Sequence, residues 1–146
     1  MTRPRMSVLL IEDDLAFAEQ IRLALSESAL QPRLVAVQSA EEAWRVLRGQ
    51  DPQRSIERPF VLLLDLHLPG AGGVHFLDDL RHDPVYCDTV VLVLSGAESQ
   101  EAVEEVYERN VAGYVRKATF SADSSCLVEL LEHFEGKVVL PGEELE

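Results

Sequence analysis

Six side chains in this 146-residue chain could do chemistry together: the acids Glu12, Asp13 and Asp14, the lone Asp65, the hydroxyl of Ser95 and the ammonium of Lys117. Each closes or directly follows a short apolar run, so chain folding could bring them to one place. Clustered carboxylates raise one another's pKa unless a cation sits among them, and an oxygen-only donor set suits Mg²⁺. With such an ion bound, Asp65 can attack a phosphoryl group as an aspartyl nucleophile, while Lys117 neutralises charge on the equatorial oxygens. Ser95 can hydrogen-bond a phosphoryl oxygen, and Gly96 leaves room for that group.

The elements that must position these residues are five short runs rich in Val, Leu and Ile, at residues 8–11, 34–37, 60–64, 90–94 and, more weakly, 111–115. They are too short for free-standing helices and read as strands buried on both faces of a parallel sheet. Helical patterns follow each run. Phe17, Ile21 and Leu25 recur at i, i+4, i+8, and Ala40, Ala43, Trp44 and Leu47 at i, i+3, i+4, i+7. Val74, Leu77 and Leu80 form a third face, Val103, Val106 and Tyr107 a fourth, and Leu127, Leu131 and Phe134 a fifth. Ser39 with Glu42 fits a capping box.

Strand followed by helix five times predicts an α/β fold: a five-stranded, parallel, doubly wound sheet. In such sheets ligands bind beyond the carboxyl ends of the strands, where the six side chains fall. A single domain is expected over 1–146, with a core of about 6–135, a polar surface loop at 49–58 and an acidic tail at 136–146.

The segments Glu12-Asp13-Asp14, Leu63-Leu64-Asp65-Leu66-His67-Leu68-Pro69-Gly70 through Gly73, Leu94-Ser95-Gly96 and Tyr114-Val115-Arg116-Lys117 resemble the four landmarks of response-regulator receivers, in order and at family spacing. The resemblance implies the flavodoxin-like receiver fold of five βα units. It implies Glu12 and Asp13 as the acidic pair around Mg²⁺, Asp65 as phosphoacceptor and metal ligand, and the backbone carbonyl of His67 as a further ligand. It also implies Ser95 as the switch hydroxyl, Lys117 as the phosphate-pairing lysine and Tyr114 as the ring that moves as Ser95 engages phosphate. Ala118 departs from the family, where proline after a cis bond is common; without proline a cis bond is costly. Asp14 also suits the N-terminus of the first helix.

The loop at 49–58, the stretch 80–89 and the tail at 136–141 resemble the small stand-alone regulators of bacterial phytochrome histidine kinases. That implies a sensor histidine kinase upstream, a bacteriophytochrome, and a homodimer through the side formed by the fourth and fifth helices. Val138, Val139 and Leu140 in the tail would pack on a partner chain or on their own. No effector pattern follows Phe134, so output is expected through docking to another, unknown protein. The acidic residues Glu98, Glu101, Glu104, Glu105 and Glu108 read as a solvated face or as a surface for a basic partner.

Thirteen basic and 26 acidic residues give a net charge of −13, which repels nucleic-acid phosphates and anionic membranes. Cys87 and Cys126 have no metal or redox spacing and read as free thiols. With no signal peptide or membrane-spanning run, the expected location is the cytoplasm. The rival readings are an aspartyl-nucleophile phosphohydrolase, disfavoured by His67 where such enzymes commonly place a second acid, and a pseudo-receiver that binds partners without phosphorylation. The receiver reading makes the chain no enzyme beyond its own phosphorylation and dephosphorylation.

Overall fold

The structure, a computed structural model, describes residues 6–70, 72–96, 99–135 and 137–143. Glu98 and the tail residues 136 and 144–146 lie outside them. Five strands form one parallel sheet: β1 (Ser7–Ile11), β2 (Arg33–Val37), β3 (Phe60–Asp65), β4 (Val90–Ser95) and β5 (Gly113–Arg116). Their order is β2-β1-β3-β4-β5. The register aligns Ile11 with Leu64 and Asp65 with Leu94, so the ends of β1, β3 and β4 emerge together. The central strands β1 and β3 are buried along their whole length, which is why they read as unbroken apolar runs rather than alternating ones.

Helices α1 (Leu15–Glu27), α2 (Ala40–Leu47), α3 (Gly72–His82), α4 (Gln100–Tyr107), α5 (Lys117–Ala122) and α6 (Ser125–Phe134) cover both faces. One core lies under α2, α3 and α4, the other under α1, α5 and α6. The predicted stripes face these cores: Phe17, Ile21 and Leu25 on α1, Leu77 and Leu80 on α3, Leu127 and Leu131 on α6. Tyr107 does not; it closes the α4 stripe in sequence but is 47% exposed. Ser39 caps α2 by accepting from the Glu42 N–H, while the Glu42 carboxylate reaches back to the N–H of Gln38 rather than of Ser39.

Three boundaries differ from the sequence expectation. The fifth strand begins at Gly113, after Val111, and stops at Arg116. Lys117 therefore opens a helix instead of ending a strand, and α5 adds a sixth helical segment between β5 and α6. The Lys117–Ala118 bond is trans, as a helical start requires; the cis bond among the described residues is Arg58–Pro59. The tail divides: Val138 and Val139 are exposed, but Leu140 is 2% exposed and joins the core under α1 and α6 of its own chain. Gly142, at φ +89°, lets the tail close over the stem of Arg58, where a Cβ would come within 2.6 Å of Arg58 Cδ. Leu140→Ala is expected to cost about 3 kcal/mol in urea unfolding, the cost of emptying a buried leucine site. A loss of only a few tenths would mean that the tail does not pack as described.

Candidate functional site

The site is built on the carboxyl ends of β1, β3 and β5. Glu12 follows β1 and is 1% exposed; Asp65 ends β3 and is equally buried. Asp13 is exposed at the rim. One oxygen from each of Glu12, Asp13 and Asp65 lies within 4.8 Å of the others. Two acids buried side by side, with a third at the opening, form a hard-oxygen set of the kind a small divalent cation takes. Lys117 reaches in from the first position of α5, its Nζ 2.6 Å from Glu12 Oε1 and 3.5 Å from Asp65 Oδ1.

Backbone groups complete the cradle. The His67 N–H donates to Asp65 Oδ1 at 3.0 Å, and the Asp14 N–H to Glu12 Oε2 at 3.2 Å. The Asp14 carboxylate turns away from the cluster and caps α1, accepting from the N–H groups of Ala16 and Phe17. Ser95 is fully buried at the end of β4, one residue beyond the register partner of Asp65. Gly96 lies in open surroundings, where an added Cβ would meet no atom within 4 Å, so the protein's own packing does not require glycine there. Tyr114 is half-buried on β5, opposite Val93, and packs on the core beneath α2, α3 and α4. His67 is exposed.

Burial raises the Glu12 carboxyl to about 7, reinforced by the neighbouring Asp65 and opposed by Lys117. Burial acts upward on Asp65 too, but hydrogen bonds from Glu12 and the His67 N–H, with the Lys117 charge, hold it below the ordinary carboxylate value. Burial acts downward on Lys117, and its pairing with Glu12 and Asp65 outweighs it, raising the ammonium's pKa. The pocket thus carries a negative charge on Asp65, a positive charge on Lys117, and on Glu12 a carboxyl that gives up its proton near neutral pH.

Gly73 is a structural requirement that the sequence pattern carries only as the last residue of a landmark. It lies in the first turn of α3 against the end of β3, its N–H donating to the Leu66 carbonyl at 3.0 Å. A Cβ there would lie 2.7 Å from the Asp65 carbonyl oxygen and 2.8 Å from Leu66 Cα, both backbone atoms that cannot move aside cheaply. Gly73→Ala is expected to cost about 2 kcal/mol and to disturb the Asp65 main chain. Unchanged unfolding and an unchanged Asp65 amide resonance would contradict that. Phe17, which the helical spacing marks only as core, also borders the site: Lys117 Nζ lies 4.8 Å from its ring centroid.

A doubly wound parallel sheet with an acid cluster and a lysine at its carboxyl end defines a receiver-type phosphoacceptor domain. The chain belongs to the response regulator receiver domain family, which matches over residues 8–130, and so to two-component signalling. It is similar to the response regulator Rcp1 of Synechocystis, 27% identical over 133 residues, covering 91% of this chain and 90% of that one. The phosphorylated cyanobacterial phytochrome response regulator RcpA superposes with a TM-score of 0.81 at 28% identity, over 96% of this chain and all of the other. The bacteriophytochrome response regulator RtBRR gives 0.74 at 25% identity, over 97% and 84%. Rcp1 has also been crystallised in a Mn²⁺-bound form. No helix among the described residues is long and apolar enough to cross a membrane.

Proposed function

We propose that Asp65 accepts a phosphoryl group from the phosphohistidine of a sensor histidine kinase, and that this switches a surface read by another protein. The observation that carries the reading is the buried Asp65 carboxylate, held ionised between the His67 N–H and Lys117 within the three-acid cluster. An Asp65 oxygen attacks phosphorus, the P–N bond breaks, and the departing imidazole takes the bonding pair and a proton from water. Lys117 stands within reach of the oxygens that gain charge, and Ser95 and Gly96 line the approach from β4. Glu12, Asp13, Asp65 and the His67 carbonyl would hold Mg²⁺, which supplies further positive charge against the phosphoryl oxygens.

Tyr114, on the strand beside Ser95 and packed toward α4, suits the readout, because a change at Ser95 reaches the α4 side through it. The chemistry is confined to the chain's own phosphorylation and dephosphorylation. Similarity to RcpA and RtBRR supports a phytochrome-type kinase as the donor. The exposed Tyr107, Val138 and Val139 support a homodimer through the α4 to α6 side and the tail, the net charge of −13 supports a protein that touches neither nucleic acid nor anionic membrane, and the reading places it in the cytoplasm. A single receiver domain accounts for the described residues.

The test is intact mass after incubation with acetyl phosphate and Mg²⁺. Wild type should gain one phosphoryl group and Asp65→Asn none. No gain on wild type ends the switch reading, while many turnovers of phosphate release from simple phosphomonoesters would make the protein a phosphohydrolase.

A further inference from the structure

Lys117 has two ionic partners, and both change their electrostatic character during the proposed reaction. Asp65 becomes the phosphorylated group, and Glu12 is a candidate cation ligand. The local backbone gives the ammonium no help, since it stands at the first position of α5, the end of a helix that disfavours a positive charge. A lysine side chain has four rotatable bonds and loses considerable freedom when fixed. Something other than the two carboxylates should hold it.

A further close neighbour is the ring of Phe17, 4.8 Å from Lys117 Nζ to its centroid. The ring is itself immobilised: Phe17 is 6% exposed, and Phe120 of α5, 1% exposed, meets it at 5.3 Å and 67° in an edge-to-face contact. Its backbone is fixed as well. The Asp14 N–H holds Glu12 Oε2 while Asp14 Oδ1 takes the Phe17 N–H, so one turn positions both the carboxylate and the ring that face the ammonium. Phe120 lies three residues after Lys117 on the same helix, so the two rings also dock α5 against α1. A cation over an aromatic face is attracted by the ring quadrupole whatever the charge state of nearby carboxylates.

We propose that Phe17 is a positioning residue for phosphoryl transfer, holding the Lys117 ammonium over the acceptor by a cation–π contact that persists while its carboxylate partners change. The proposal rests on the Asp65 acceptor reading for its kinetic consequence, but not for the contact itself.

Two measurements test it. Lys117 and Lys137 are the chain's two lysines, so protein labelled at lysine Cε gives two ε-CH₂ signals. In unphosphorylated wild type the Lys117 signal should be shifted upfield by the Phe17 ring current. Coincidence of the two signals overturns the contact with no variant needed. The kinetic arm is a double-mutant cycle on acetyl phosphate labelling with Mg²⁺. Phe17→Leu should slow labelling about fivefold, Phe17→Tyr should stay near wild type, and Phe17→Leu should cause no further loss in a Lys117→Met background. Equal slowing in both backgrounds would make Phe17 merely structural, and an unchanged rate would remove it from the reaction. If wild type takes up no phosphoryl group, the acceptor reading and the positioning role fail together, while the ring-current shift still decides the contact.

Discussion

Lys117→Met is expected to slow Asp65 labelling by acetyl phosphate on the order of 100-fold, the usual loss when one preorganised donor is removed from a developing negative charge. The ammonium lies 3.5 Å from Asp65 Oδ1, within reach of a phosphoryl group attached there. It is also the cation that makes the burial of Glu12 tolerable at 2.6 Å. Methionine fills the same volume without charge, so Glu12 should retain its proton to still higher pH and the fold should survive. A time course of intact mass, run beside a thermal melt, separates the two effects. A labelling rate within a few-fold of wild type, with the fold intact, would show that Lys117 serves only to neutralise the acids. Lys117→Arg should fall between, because a planar guanidinium keeps the charge but not the compact geometry.

The parts legible in the sequence are those where one physical demand dominates. The strands β1, β3 and β4 are read from their apolar runs, because strands buried on both faces admit little else, whereas the edge strand β2, read from its 34–37 run, buries only Val35 and Val37. Asp65, Glu12 and Asp13 stand out because acids on the first and third runs fall in step with a hydroxyl on the fourth and a lysine after the fifth, whereas Asp14 taken alone is a helix cap. The β5 and α5 region is harder. Edge strand β5 is only partly buried and contains Gly113, while α5 spells KATFSA, too short for a helical period to register. A lysine opening a helix also sits at the end where the dipole disfavours a positive charge, a cost that the tertiary pairing with Glu12 and Asp65 overrides. Leu140 could not be assigned to its own core or to a partner, because an apolar residue in a tail carries no direction. Phe17 was legible as core and illegible as a neighbour of Lys117, since one ring can serve both purposes and spacing reports only the first.

Mg²⁺ is expected to bind about tenfold more weakly at pH 6 than at pH 8, and to release close to one proton as it binds at pH 6. The cause is Glu12, which burial holds at about 7 against an ordinary value of 4.5. For a group raised in the folded state, the stabilising contribution is fully present below pH 4.5 and fades as pH climbs through 7; for Glu12 it amounts to about 3 kcal/mol. Asp65 acts in the opposite sense. Its lowered pKa gives stability above its ordinary value that is lost only as pH falls through the folded value, so it remains charged across this window. Lys117, raised, contributes throughout and loses its effect only in strong alkali. Between pH 4.5 and 7 the metal-free protein should therefore lose stability as pH rises, with Glu12 as the cause. Mg²⁺ should reverse the trend, adding more to the melting temperature at pH 8 than at pH 6. Glu12→Gln removes the titrating proton, so both the pH slope of the metal-free melt and the proton release in calorimetry should flatten. If the slope persists in Glu12→Gln, the proton resides elsewhere in the cluster, and the division of charge between Glu12 and Asp65 is wrong.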